Sequence, residues 1–346
     1  MRVHNVSANV PFSRRLSDAR GRGAFAITAG LFVAFALVIT IAAPIALSVC
    51  IVFLFAGPHN YAEARFFLTR LPARMGRLRP FFLGSAAGIV LLTVGLPLAG
   101  RLPVWMNWSP IAASWSLAVW NTAFVLWCTW LVQMRSQQPP RREWEYAWPI
   151  GICVIGFSCM QPIVLPLLLV YLHPLMWLWV LDAEMAKSRP TWRSVYRWCV
   201  LLVLPAVALI WVVGPNSESV AAIFDVSETV QSQIRQHSGA NQLTMLNSKK
   251  LIATHAFLEL LHYGVWLVAV PVVSGRVFSG RFPHIPLMKR SIASRNTIRL
   301  GLLMSLGIVV LLWIGFAADY STTRDIYFTV ATFHVLAEVP FLLRLL

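Results

Sequence analysis

Charge is what this sequence has least of. Only 12% of its 346 residues are Asp, Glu, Lys or Arg, about half the roughly 25% of an average soluble domain. Its five cysteines (Cys50, Cys128, Cys153, Cys159 and Cys199) all lie in apolar stretches, and none forms a C-x-x-C pair. That excludes a disulfide framework and a Cys-based zinc ribbon. Neither a nucleotide-binding glycine pattern nor an internal repeat is present. What the chain does contain is apolar: 58% hydrophobic residues, fifteen Trp and twenty Phe, with a mean hydropathy of +0.68. These values exclude a soluble enzyme, a disordered tail and a secreted disulfide scaffold. They identify an integral membrane protein.

A helix needs roughly 20 apolar residues to cross the hydrocarbon, and the sequence offers ten such segments. The first run is too long for one helix, and Pro44 predicts a hairpin between 24–42 and 45–71. Segments 80–100 and 109–133 follow. Gln161-Pro162 divides the next run into a short helix at 147–160 and a longer one at 162–182. The last four are 195–214, 249–273, 298–317 and 325–345. Residues 1–23 read as a basic segment with no convincing cleavage site after it, and 24–346 as one transmembrane domain. The fold class expected is an all-α polytopic bundle.

The net charge of +16 comes from 29 basic and 13 acidic side chains. In a soluble protein it would point to nucleic acid. With ten spans and the N-terminus inside, however, the basic residues sort by side. Only Arg101, Arg235, Lys249, Lys250 and Arg324 fall outside; every other Lys and Arg falls inside. By the positive-inside rule both termini are cytoplasmic, as in a multi-pass protein of a bacterial inner membrane. The charge therefore reports topology and contact with anionic lipid, and no nucleic-acid partner is expected. One long outer loop, 215–248, starts acidic (Glu218, Asp225, Glu228). It places Val220, Ile223, Phe224, Val230 and Ile234 at roughly helical spacing, as in a short interfacial helix. The inner segment 274–297 reads as a basic loop whose His284, flanked by prolines, needs no special role.

Ionisable side chains inside a span are costly, so each requires a partner or a use. Five of the eight histidines fall there: His59, His173, His255, His262 and His334. Glu63 follows His59 by four residues, Glu259 follows His255 by four, and Glu338 follows His334 by four. Residues at i and i+4 share a helix face, and acids are scarce in these segments, so the recurrence is not random. His262 extends the stripe of His255 and Glu259 to i+7. Counting from the span ends puts His173, His262 and His334 near mid-bilayer, His255 somewhat outward, and His59 and Glu63 somewhat inward.

Three chemistries use such a set. A transition-metal site takes several neutral imidazoles, with carboxylates as ligands or as acceptors that orient the rings. A proton or ion pathway uses the same residues as a relay. Haem needs only one or two axial histidines, fewer than are present. The bland alternative is a set of interhelical hydrogen-bond clamps, worth roughly 1 kcal/mol or less each. The reading favoured is a metal held by His59, His255, His262 and His334, with His173 as a possible fifth ligand because no acid follows it at the next turn. Glu63, Glu259 and Glu338 would orient the rings or complete the coordination.

The segment Gly57-Pro58-His59-Asn60-Tyr61-Ala62-Glu63 resembles the Pro-His-Gly-x-x-Asp-His signature of membrane carotene-cleaving oxygenases of the Brp/Blh type. Asn60 replaces the family's Gly, Glu63 its Asp, and Ala64 stands where its second His would be. The closely spaced His255 and His262 of a late span are a further similar feature. The resemblance implies an all-helical multi-pass fold whose histidines hold non-haem iron, Fe(II), and a reaction in which oxygen splits β-carotene into retinal. The expectation is thus a metal-dependent oxidoreductase, a dioxygenase, for a lipid-soluble isoprenoid or carotenoid. A proton-coupled transporter or channel, or a non-catalytic subunit of a membrane complex, are the alternatives.

Overall fold

The computed structural model describes residues 12–215, 226–274 and 285–345. Glu218, Val220, Ile223, Phe224, Asp225 and His284 lie outside the described residues. The described chain is all helix: α1 (Phe12–Ala42), α2 (Pro44–Arg70), α3 (Arg79–Trp105), α4 (Pro110–Ser136), α5 (Ala147–Met160), α6 (Val164–Ser188), α7 (Arg193–Leu201), α8 (Val203–Val213), α9 (Glu228–His237), α10 (Ser248–Gly264), α11 (Val270–Val273), α12 (Ile292–Ala318) and α13 (Tyr320–Leu345). Among the described residues nine helical segments are long and apolar enough to cross a membrane, with α7–α8 and α10–α11 each forming one segment. The chain is a multi-pass helical membrane protein.

The fifth of the ten sequence segments, α5, has 14 residues and is therefore about 21 Å long, short of the roughly 30 Å hydrocarbon. The turn after it is held by Asn121 Nδ2, which donates to the Pro162 carbonyl at 2.7 Å. Asn121 lies about 16 Å along α4 from its start, so the α5–α6 turn stops short of the ends of its neighbours. The loop after α9 enters the space left there. Gly239, at φ +75°, abuts Leu167, a backbone conformation that L side chains rarely adopt. Tyr171 Oη donates to the Ser238 carbonyl at 2.8 Å.

Local sequence explains the helix breaks. Pro44 has no backbone N–H and suits a helix's first turn, so α2 starts there, one residue after α1 ends. Asn247 caps α10 by accepting from the Lys249 and Lys250 backbone N–H groups at 3.0 and 3.1 Å, as an N-cap side chain should. A π turn at Val265–Ala269 then separates α10 from α11. Pro271 supplies its cause: it cannot donate to the carbonyl four residues earlier and clashes with it, and a wider turn relieves both.

α10 is the centre of the bundle. Every residue from Leu251 to Tyr263 is buried, with α2, α6, α1 and α8 packed around it. Outer helices instead expose apolar side chains such as Leu91, Val104, Ile111 and Leu311, the face a lipid-solvated protein presents. α3 and α4 pack closely because Gly84 and Gly88 leave room for the Trp130 and Trp127 indoles.

The two ends of the bundle carry different polar contacts. At one end Arg70 bonds Glu184 at 2.5 Å, and Ser274 Oγ donates to the other Glu184 oxygen at 3.1 Å. Asp182 there accepts from Arg193 and Arg197. Arg135 donates from Nε to the Leu343 carbonyl at 3.1 Å. At the other end Tyr320 Oη meets the Val49 carbonyl, and Gln233 bonds Asp325. Asp182 and Glu184, acidic residues near a membrane edge, are thus accounted for by structural ion pairs.

Candidate metal centre

Four helices supply the buried ionisable residues: α2 carries His59 and Glu63, α6 His173, α10 His255, Glu259 and His262, and α13 His334 and Glu338. All four are irregular at the site. Pro58 precedes His59, Pro174 follows His173, Pro340 lies two residues after Glu338, and the π turn begins three residues after His262. Prolines and π turns free backbone carbonyls from their helical partners. One turn back on α2, the Phe55 carbonyl takes a further bond, from His59 Nδ1 at 3.0 Å. A carbonyl only accepts, so Nδ1 carries the proton and Nε2 keeps its lone pair. That Nε2 is buried and has no partner among the described residues.

His59, His262 and His334 each offer a ring nitrogen, all within 4.8 Å of one another. His59 lies 5.4 Å from His262 and 5.2 Å from His334 between ring centres. His173 packs 4.5 Å from His262 and 5.3 Å from His334. A second set within the same 4.8 Å limit joins His173, His262 and Glu338. His173 Nδ1 lies 2.8 Å from Glu338 Oε2, and Trp177 Nε1 donates to the other Glu338 oxygen.

His255 stands apart from this cluster, contrary to the sequence reading that made it a ligand beside His262. Seven residues separate the two, or about 10 Å along the helix, so they share a stripe but not a depth. The His255 ring instead meets His237 at 4.8 Å and Tyr171 at 6.0 Å. Its place is taken by His173, which the sequence ranked weakest. Glu259 likewise turns away from the cluster: its Oε1 accepts from Tyr263 Oη at 2.8 Å, and its Oε2 is 3.7 Å from His255 Nδ1.

Only Glu259 pairs with the histidine of its own helix, at 3.7 Å from His255; the other two i, i+4 carboxylates do not. Glu338 serves His173 on α6 rather than His334 on α13. Glu63 pairs with the Glu338 carboxyl, with no other donor on either oxygen among the described residues. Side chains one turn apart point the same way, so both reach across to the neighbouring helix rather than to each other.

Both nitrogens of His262 and Nδ1 of His334 are also buried without partners among the described residues. Buried polar atoms are nearly always hydrogen-bonded or bound to water or an ion, and here several imidazole nitrogens and carboxylate oxygens are gathered with no protein partner among the described residues. Imidazole with carboxylate is a donor set for iron, zinc, copper or nickel, and these residues fit such an ion.

The cluster opens into a cavity of about 240 Å³. Leu96, Trp120, Leu169 and Val335 form apolar wall, while Glu259, His255 and His237 line its far end. Reasoning from the sequence assigned no role to His237, Trp177 or Tyr263. His237 was legible, since Val230, Ile234 and His237 follow i, i+4, i+7 and Val230 and Ile234 are buried. Comparison with family models, with curated proteins and with solved structures gives no match.

Proposed function

We propose that this protein is a metal-dependent oxidoreductase of a bacterial inner membrane, acting on a lipid-soluble isoprenoid or carotenoid. His59, His262 and His334 hold the ion, which is ferrous iron on the similarity of the Pro58-His59 segment to the carotene-cleaving oxygenases. The single observation that carries the reading is the meeting of three imidazoles from three helices, with unpaired nitrogens, deep in the bundle. Ligand bonds of 2.0–2.1 Å in a tetrahedral set put imidazole centres about 5 Å apart, close to the 5.2 and 5.4 Å found here. When bound, ferrous iron supplies the oxygen chemistry that adds the two atoms of dioxygen across a carbon–carbon double bond, giving two carbonyl products with no external reductant.

The chain's own residues hold, orient and exclude. The Phe55 carbonyl fixes the His59 tautomer, and Glu338 fixes His173 beside the cluster. The apolar cavity wall keeps bulk water from the centre. A lipid-phase substrate is supported by a second cavity, an apolar groove of about 780 Å³ between α3 and α4, which shares Trp120 with the first. Metal analysis of detergent-purified protein is the test: bound transition metal in wild type and its loss in His262→Gln are expected. Metal-free wild-type protein after loading with Fe(II) would overturn the reading.

One observation favours a relay as the second reading. His237, His255, Glu259 and Tyr263 run from the outer loop to the His59 ring, with Tyr263 and His59 4.4 Å apart between centres. Proton flux in proteoliposomes that Glu259→Gln abolishes, without bound metal, would establish it.

A further inference from the structure

The three-histidine set leaves two features without a use. Glu63 is 1% exposed and pairs with the Glu338 carboxyl, with no other donor on either oxygen among the described residues. Two carboxylates buried side by side repel unless a cation or a shared proton lies with them. His262, moreover, belongs to both ligand sets, and neither of its nitrogens is hydrogen-bonded.

We propose that the centre holds two metal ions, the second bound by His173, His262 and Glu338 with Glu63 beside it, and His262 bridging the pair through its two ring nitrogens. This rests on the reading of the first set as a metal centre. His173 Nδ1 and Glu338 Oε2 form a hydrogen-bonded pair 2.8 Å apart, and both atoms become ligands for a transition metal once the proton between them leaves. Glu338 keeps its Trp177 hydrogen bond on its other oxygen, which fixes the carboxylate toward His173. A cation then replaces the proton that the Glu63 and Glu338 carboxyls would otherwise share. The second position is richer in carboxylate than the first, so the two differ in affinity and in preferred metal. Both nitrogens of His262 can ligate only if the ring's N–H proton leaves on loading. Binding of the second ion therefore releases that proton to solvent and weakens as pH falls.

The experiment counts ions in the full-length protein purified in detergent and loaded anaerobically with Fe(II) or Mn(II). Two ions per chain are expected in wild type, and one in each of His334→Gln and His173→Gln, which belong to different sets. Loading with Mn(II) keeps the test independent of variants that fail to fold: a magnetically coupled pair is expected rather than the spectrum of isolated ions. One ion per wild-type chain, with an isolated-ion spectrum, overturns the second site and leaves the proposed function standing. No ion at all overturns both.

Discussion

Replacing His262 by Leu removes an imidazole whose two nitrogens are buried and unpaired and substitutes an apolar group of similar volume. A buried polar group left unsatisfied costs about 1–3 kcal/mol. In chelator, where no ion compensates the ring, the variant should therefore be more stable than wild type by roughly that amount. With metal the order should reverse. An ion at a hundred times its dissociation constant stabilises the wild type by about 2.7 kcal/mol, and the variant, lacking a shared ligand, gains little. The assay is thermal unfolding in detergent with chelator and with Fe(II), alongside metal content. Glu259→Gln is the control on the same helix. Its partner is Tyr263, so it should retain wild-type metal and the wild-type ordering. A His262→Leu protein less stable than wild type under both conditions, with unchanged metal content, would refute the reasoning and make His262 a packing element.

Three further outcomes are expected. Gly88→Val drives a side chain into the Trp127 indole, whose Nε1 donates to the Gly84 carbonyl at 3.0 Å; it should destabilise by about 1–3 kcal/mol, while Gly301→Val, with open space beside it, is neutral, as melting midpoints will tell. Burial, with smaller contributions from His255 and Arg324, holds the His237 imidazole well below its ordinary range. Below about pH 6.5 the unfolded chain takes up a proton there that the folded chain does not, so stability falls with pH and His237→Phe should flatten that slope; parallel slopes would contradict it. A tag inserted at Met245, 96% exposed, should be labelled from outside intact cells and one following Leu346 should not; the opposite pattern overturns the orientation argued from charge.

The sequence by itself determined the class, the proline-marked helix breaks and the inventory of unusual residues, but not the helix limits, since α1 reaches back to Phe12 and α13 to Tyr320. A long apolar run interrupted by Pro44, and a second by Gln161-Pro162, mark their own breaks, because proline lacks a donor and its effect is local. The side-sorted arginines likewise needed no tertiary information. Nor did the cost of His59, His262, His334 and Glu338 in an apolar span, which made them candidates at once. Which of them meet was decided elsewhere. Spacing along one helix gives a residue's face and height, so His255 looked equivalent to His262 although about 10 Å separates them. Whether Glu338 turns to His334 or to His173 depends on which helix packs opposite. That in turn depends on α10 lying at the centre of the bundle. Local chemistry is written in the chain, and the pairing of distant helices is set only when their faces pack.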